Sequence, residues 1–214
     1  MKKIILVFLL SLACIGAEAQ SYQSKIQDWQ QEYKREFLTD ARSPLRAKDT
    51  GFLRFFPGDS SYCILATIRL TPESKVFDMA THSGKNKKFK TYGILTMSLP
   101  VRYKNNPIAK EKREIQLPIY ENLAHAADSF ADYLFLPFTD YTCDDESYGG
   151  GRYIDLKKKD IHGNTVAVDF NEAYNPWCVY KGGYSCPIPP SENRIGFRIP
   201  VGEMMPDEVI RAKE

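Results

Sequence analysis

The residues with the most chemistry to offer lie between Tyr148 and Asn193. The stretch includes Y-G-G-G-R-Y-I-D-L, D-F-N-E-A-Y-N-P-W-C and C-P-I-P-P-S-E-N. It gathers hydroxyls, amides, carboxylates, an arginine and two cysteines among aromatic rings. Arg152 leads the candidates. An arginine turned toward the apolar side of a strand needs an anion, because an unpaired charge out of water is costly. Its planar fork suits a carboxylate or a phosphate. The partner is either a carboxylate of the chain (Glu192, Asp140, Asp155 or Asp169) or a small anionic ligand. Two function classes follow. In the first, a small-ligand-binding or structural module has a pocket near Arg152, built from Tyr148, Asp169, Asn171, Tyr174, Asn175, Glu192 and Asn193. In the second, a hydrolase-type enzyme uses Asp169 or Glu192 as general acid or base beside Arg152.

These side chains must be aimed by strands. Arg152 to Leu156 and Thr165 to Phe170 are rich in β-formers and flank Asp160-Ile161-His162-Gly163-Asn164, which has turn chemistry. The expectation is an antiparallel hairpin. Alternation along a strand puts Arg152, Ile154 and Leu156 on one face with Val166, Val168 and Phe170. Tyr153, Asp155, Asp169 and Asn171 take the other. Gly149, Gly150 and Gly151 read as a bulge or positive-φ entry to the first strand, or as backbone that lets a ligand come close.

The motifs Leu134 to Asp140 (L-F-L-P-F-T-D), Tyr148 to Leu156, Asp169 to Cys178 and Cys186 to Asn193 together resemble the signature of domain of unknown function family 1684. The resemblance is specific over this half and looser over Phe52 to Pro118. It implies a shared fold and no particular activity.

Cys178 and Cys186 bracket a loop holding Gly182 and Gly183, and in an exported chain they read as a disulfide. Cys63 and Cys143 either pair or stay reduced, since four cysteines allow three connectivities. No metal site is expected: His82, His125 and His162 are scattered, without ligand spacing. Asp140, Asp144, Asp145 and Glu146 lack the alternating ligands and glycine of a calcium loop. No G-x-S-x-G elbow, H-E-x-x-H helix or dinucleotide fingerprint is present, so no cofactor is expected.

The chain starts with Lys2 and Lys3, an apolar run from Ile4 to Ala13, and Ala17-Glu18-Ala19. That is the pattern of a signal peptide over residues 1–19, cleaved before Gln20, with export to the periplasm or beyond. A lipid anchor on Cys14 is the rival, disfavoured by Ser11 where leucine is preferred. The apolar run is shorter than the roughly 20 residues of a transmembrane helix. The balance of 29 Lys+Arg against 27 Asp+Glu is near neutral, which argues against a nucleic-acid partner. Lys85, Lys87, Lys88 and Lys90 read as a solvated hairpin tip.

An N-terminal helix is expected within residues 20–45, because Tyr22, Ile26, Trp29, Tyr33 and Phe37 recur on one helical face. Residues 50–205 read as a single β-rich domain. Strands are expected at Phe52 to Phe56, Tyr62 to Leu70, Val76 to Ala80, Phe89 to Pro100, Arg113 to Tyr120 and Leu134 to Phe138, with Tyr62 to Ala66 as a strand buried on both sides. Glu121 to Tyr133 has helical spacing. The fold class is mainly β: an antiparallel barrel or sandwich with an amphipathic helix docked on it.

Overall fold

The computed structural model describes residues 2–106, 111–125 and 130–207, with side chains from Ser21 onward except that of His125. It has one long helix, α1 (Lys2–Thr39), and seven strands: β1 (Cys63–Leu70), β2 (Val76–Ala80), β3 (Asn86–Pro100), β4 (Lys112–Asn122), β5 (Tyr133–Phe138), β6 (Arg152–Lys157) and β7 (Thr165–Asp169). All strands belong to one antiparallel sheet, ordered β6-β5-β4-β3-β1-β7, with β2 also paired to β3. The sheet curls into a half-barrel. No helix of the described residues is long and apolar enough to cross a membrane.

The core follows the pleat. Ala66 and Ile68 of β1, Leu95, Met97 and Leu99 of β3, Leu117 and Ile119 of β4, Leu134, Leu136 and Phe138 of β5, and Val166 and Val168 of β7 pack together. β3 bends at a register shift between Thr91 and Gly93. A Cβ at Gly93 would stand 2.9 Å from Ile68, so only glycine lets β1 pack closely at that bend. The C-terminal segment forms no strand of the sheet, yet Ile195, Phe197, Ile199 and Val201 alternate into the same core. It fills space that a closed barrel would line with further strands.

α1 buries the face expected from its spacing: Ile26, Tyr33 and Phe37 are buried, and Trp29 packs beside them. The helix meets Leu45, Leu53 and Tyr180 of irregular segments, and the end of β7.

Four expectations differ. β6 and β7 do not pair as a hairpin. β6 pairs β5 and β7 pairs β1, so they occupy opposite ends of the sheet, and a bridge from Tyr153 of β6 reaches Tyr174, beyond the end of β7. β7's alternation matches β1 as well as it would match β6, and only the closure of the sheet decides between them. Phe52 to Phe56 is a 3-10 turn at Thr50–Phe52 followed by one bridge from Phe55 to Glu203. β1 is half-buried, not buried on both sides: Leu65 is 71% exposed while Ala66 is fully buried. The helical spacing after Glu121 is overridden by β4, which runs to Asn122, followed by a 3-10 turn at Leu123–His125. The expected helix falls partly on residues 126–129, which lie outside the described residues.

Candidate functional site

Arg152 is where alternation puts it, on the core face, and it is fully buried. Its Nη2 donates to Asp140 Oδ2 at 2.7 Å and to the carbonyl of Ile199 at 2.8 Å. Its Nη1 donates to the carbonyls of Val201 and Glu203. The rings of Phe138 and Phe56 lie 5.2 and 5.8 Å from the guanidinium carbon. Asp140 also accepts from the backbone N–H of Thr142 and Ile199. The guanidinium therefore pins the C-terminal segment to β6 with an internal counter-ion. Among the described residues, Asp140 and the chain carbonyls take both terminal nitrogens of its fork. Gly151 has φ +86°, and a Cβ there would stand 2.6 Å from the Phe138 carbonyl, so the glycine entry serves this packing and not a ligand.

The other candidates disperse. Asp169 sits at the end of β7, where both its oxygens accept from the Tyr22 hydroxyl (2.9 and 3.0 Å) and one from Lys25 at 3.1 Å. Asn171 donates to Tyr22, Asp59 and Asp169 through its amide. These two residues fasten α1 to the domain. Asn193 is fully buried: its amide donates to the carbonyls of Pro118 and Pro137 and its oxygen accepts from Tyr120. It staples β4 to β5, whose ladder consists of the single pair Tyr120–Phe135. Asn175 donates to the Met204 carbonyl. Glu192 is exposed, 3.4 Å from the Tyr120 hydroxyl. Neither Asp169 nor Glu192 stands beside Arg152 as an acid–base partner, since Arg152's carboxylate is Asp140. Tyr148 lies 3.8 Å from the Cys178 sulfur.

The concavity lies on the opposite face of β6. Two lobes of about 350 and 670 Å³ meet there and share Arg42, Lys87, Tyr133, Tyr153, Asp155, Tyr174 and Pro187. Tyr153 and Asp155 point into it because they alternate with Arg152 and Ile154. The backbones of Tyr153 and Tyr174 exchange hydrogen bonds of 2.9 and 3.0 Å, which brings Tyr174 beside β6. The Tyr174 hydroxyl then donates to Asp155 Oδ2 at 2.9 Å. Asp155 is exposed to the cleft, yet the protein crowded around it raises its carboxyl to about 6, against the Tyr174 hydrogen bond that favours the anion. Tyr153 is fixed by its hydroxyl on the Pro187 carbonyl and by Phe135, edge-on at 4.7 Å. Trp29, Trp177 and Tyr184 line the larger lobe and Phe89, Phe130 and Phe135 the smaller. Of the residues expected in the pocket near Arg152 or in the disulfide, Tyr174 and Cys186 line this cleft. Asp155 was weighed only as a partner for Arg152, although its alternation with Arg152 already placed it on the face of Tyr153.

Behind the cleft lies a carboxylate that sequence reasoning missed. Glu203 is fully buried and accepts from the hydroxyls of Tyr33 (3.1 Å) and Tyr180 and from the backbone N–H of Asn175 (2.7 Å). Burial raises it to about 7, opposed by these hydrogen bonds. The signal for it exists: Glu203 continues the every-other-residue register of Ile195, Phe197, Ile199 and Val201.

Cys178 and Cys186 are adjacent and unbonded, with the Cys178 N–H donating to the Cys186 sulfur at 3.3 Å. Cys63 and Cys143 are free in separate surroundings. Among the described residues no group of three or more His, Cys, Asp or Glu is arranged to hold a metal ion. Asp145 is tied to Lys104 and Glu146 to Arg198.

No curated protein matches the chain. Among solved structures, the solution NMR structure of an uncharacterized protein from gene locus rrnAC0354 of Haloarcula marismortui is similar, with a TM-score of 0.63 and 25% identity over 88% of this chain and 96% of that one. The family described as "Protein of unknown function (DUF1684)" matches residues 50–204, and the chain belongs to that family.

Proposed function

We propose that this protein is a binding module for a small molecule with a flat apolar face and several hydrogen-bond donors, such as a sugar ring, held in the Asp155 cleft. The observation that carries this reading is the Asp155 carboxylate at the junction of the lobes, set by the Tyr174 hydroxyl among aromatic rings. A carboxylate accepts from ligand hydroxyls or amides, while ring faces cover the apolar side. A small anion loses the Arg152 fork, which Asp140 and the chain carbonyls take, and in the cleft it meets Asp155 as well as Arg42 and Lys87. Trp29 and Trp177 are the chain's two tryptophans and both line the larger lobe, so intrinsic fluorescence reads occupancy. Titration with neutral sugars and primary amides is expected to change that fluorescence, and Asp155→Asn to weaken the response at least tenfold, roughly the worth of one hydrogen bond to a charged group. Responses to acetate or phosphate alone, or an Asp155→Asn variant that binds as well, overturn it.

A second reading has its own observation. A cleft carboxyl raised to about 6 suits a general acid or base, so the hydrolase reading moves from Asp169 and Glu192 to Asp155. Turnover of the bound sugar or amide that Asp155→Asn abolishes separates enzyme from module.

Residues 1–19 support an exported, periplasmic or secreted protein, processed before Gln20 and without lipid on Cys14. In that oxidising compartment Cys178 and Cys186, already adjacent, join as a disulfide. Intact mass of the processed protein and non-reducing peptide mapping test both; an acylated Cys14 terminus or two free thiols refutes them.

A further inference from the structure

We infer that Cys178 and Cys186 form a thiol–disulfide exchange site that opens on the larger lobe of the cleft and takes small disulfides of the glutathione class. This goes beyond the disulfide proposed above, on which it rests, by making the bond reversible and giving its chemistry an order.

Access comes first. Cys186 is 8% exposed, yet it lines the larger lobe together with Tyr184, Ser185 and Pro187. A small disulfide reaches its sulfur through the cleft. Activation comes next. The Cys186 sulfur accepts from the Cys178 N–H at 3.3 Å, and this donor favours its anion. The neighbouring Cys178 lowers the Cys186 thiol toward the range of reactive cysteines, and its own thiol is pushed up by Cys186 and by burial. Cys63 and Cys143 are both shifted upward by burial, and neither lines the cleft. Slack is the third element. The connecting loop holds Gly182 and Gly183, the latter at φ +90°, and a Cβ on either would stand in open space. Residues 181–183 are exposed, so the loop has room to shift there as the sulfurs come together.

The reaction balances. The Cys186 thiolate attacks one sulfur of the small disulfide, forming a mixed disulfide and releasing one thiolate, which takes the proton from Cys186. Cys178 then loses its proton and attacks the Cys186 sulfur, closing the Cys178–Cys186 bond and expelling the second thiolate, which takes that proton. The cysteine pair loses two electrons and the small disulfide gains them. The consequence falls on the cleft wall, because Trp177 precedes Cys178 and its ring meets Tyr184 edge-on at 5.5 Å.

The test uses the full chain, reduced, equilibrated with mixtures of reduced and oxidised glutathione, trapped with N-ethylmaleimide and peptide-mapped. The Cys178–Cys186 bond is expected to form and to reopen in the folded protein, with Cys63 and Cys143 alkylated throughout and tryptophan fluorescence following the cycle. Cys178→Ser is expected to accumulate glutathione on Cys186, and Cys186→Ser to carry roughly tenfold less on Cys178, in line with the lower thiolate fraction there. A bond that forms but resists reduced glutathione until the protein unfolds overturns exchange and leaves the structural disulfide standing. Thiols that never join overturn both. An adduct that prefers Cys178 overturns the order of attack.

Discussion

Glu203 makes the sharpest prediction, because its environment has no cation on the carboxylate. Tyr33 reaches it from α1, Tyr180 and Asn175 from the segment after β7, and Arg152 touches only its backbone carbonyl. Its pKa rises from 4.5 to about 7 on folding, with desolvation as the largest cause. The folded state therefore holds this proton more tightly than the unfolded state. The resulting stability is fully present below the unfolded value of 4.5 and is lost as pH rises through about 7. At 1.36 kcal/mol per unit, the loss between about pH 5 and pH 8 is roughly 2 to 3 kcal/mol. The assay is urea unfolding across that range for the wild type and Glu203→Gln, followed by far-ultraviolet circular dichroism. Gln is uncharged at every pH but places an NH2 where the carboxylate accepted, so it starts less stable. The difference between the two proteins is the measurement: the wild-type advantage is expected to shrink by that amount toward high pH. Parallel profiles refute a neutral buried acid and mean that the tyrosines and Asn175 already hold Glu203 as the anion.

The remaining predictions concern residues that looked functional and are placed in the frame. Arg152→Met leaves Asp140 buried without its cation and strips three carbonyls of a donor, so a loss of about 3 to 5 kcal/mol is expected in urea unfolding. A loss under about 1 kcal/mol would refute the pairing, and Arg152→Met combined with Asp140→Leu is expected to recover part of it. Asn193→Ala strands the carbonyls of Pro118 and Pro137 between β4 and β5 and is expected to cost about 1 to 3 kcal/mol, read as a lowered urea midpoint. Tyr22→Phe removes both hydrogen bonds to Asp169, so limited proteolysis of α1 is expected to speed up while amide exchange in β3 and β4 stays slow.

The strands were legible because each writes its own alternation: β2 falls where expected, and β1, β3, β4, β5, β6 and β7 differ only at their ends or partners. Partnership was not legible, because it depends on which edges the curl brings together. β7 carries Val166 and Val168 at a spacing that suits β1 and β6 equally, and the sheet chooses β1. The same limit explains the site. Alternation correctly sent Arg152 inward, and Asp140 stood among its possible partners, but so did Glu192, Asp155 and Asp169. Choosing needs the C-terminal segment, whose carbonyls at Ile199, Val201 and Glu203 complete the guanidinium's shell from about fifty residues away. Once Arg152 is committed inward, pleating turns Tyr153 and Asp155 outward. Outward becomes a cleft only because Tyr174 bridges to Tyr153 and α1 raises a wall with Trp29 and Tyr33. The residue that demanded an explanation in the sequence is thus the anchor of β6, and the binding face proposed for the protein is the other side of the same strand. That coupling is physical: the ion pair that fixes the inner face of β6 also fixes the aim of Asp155.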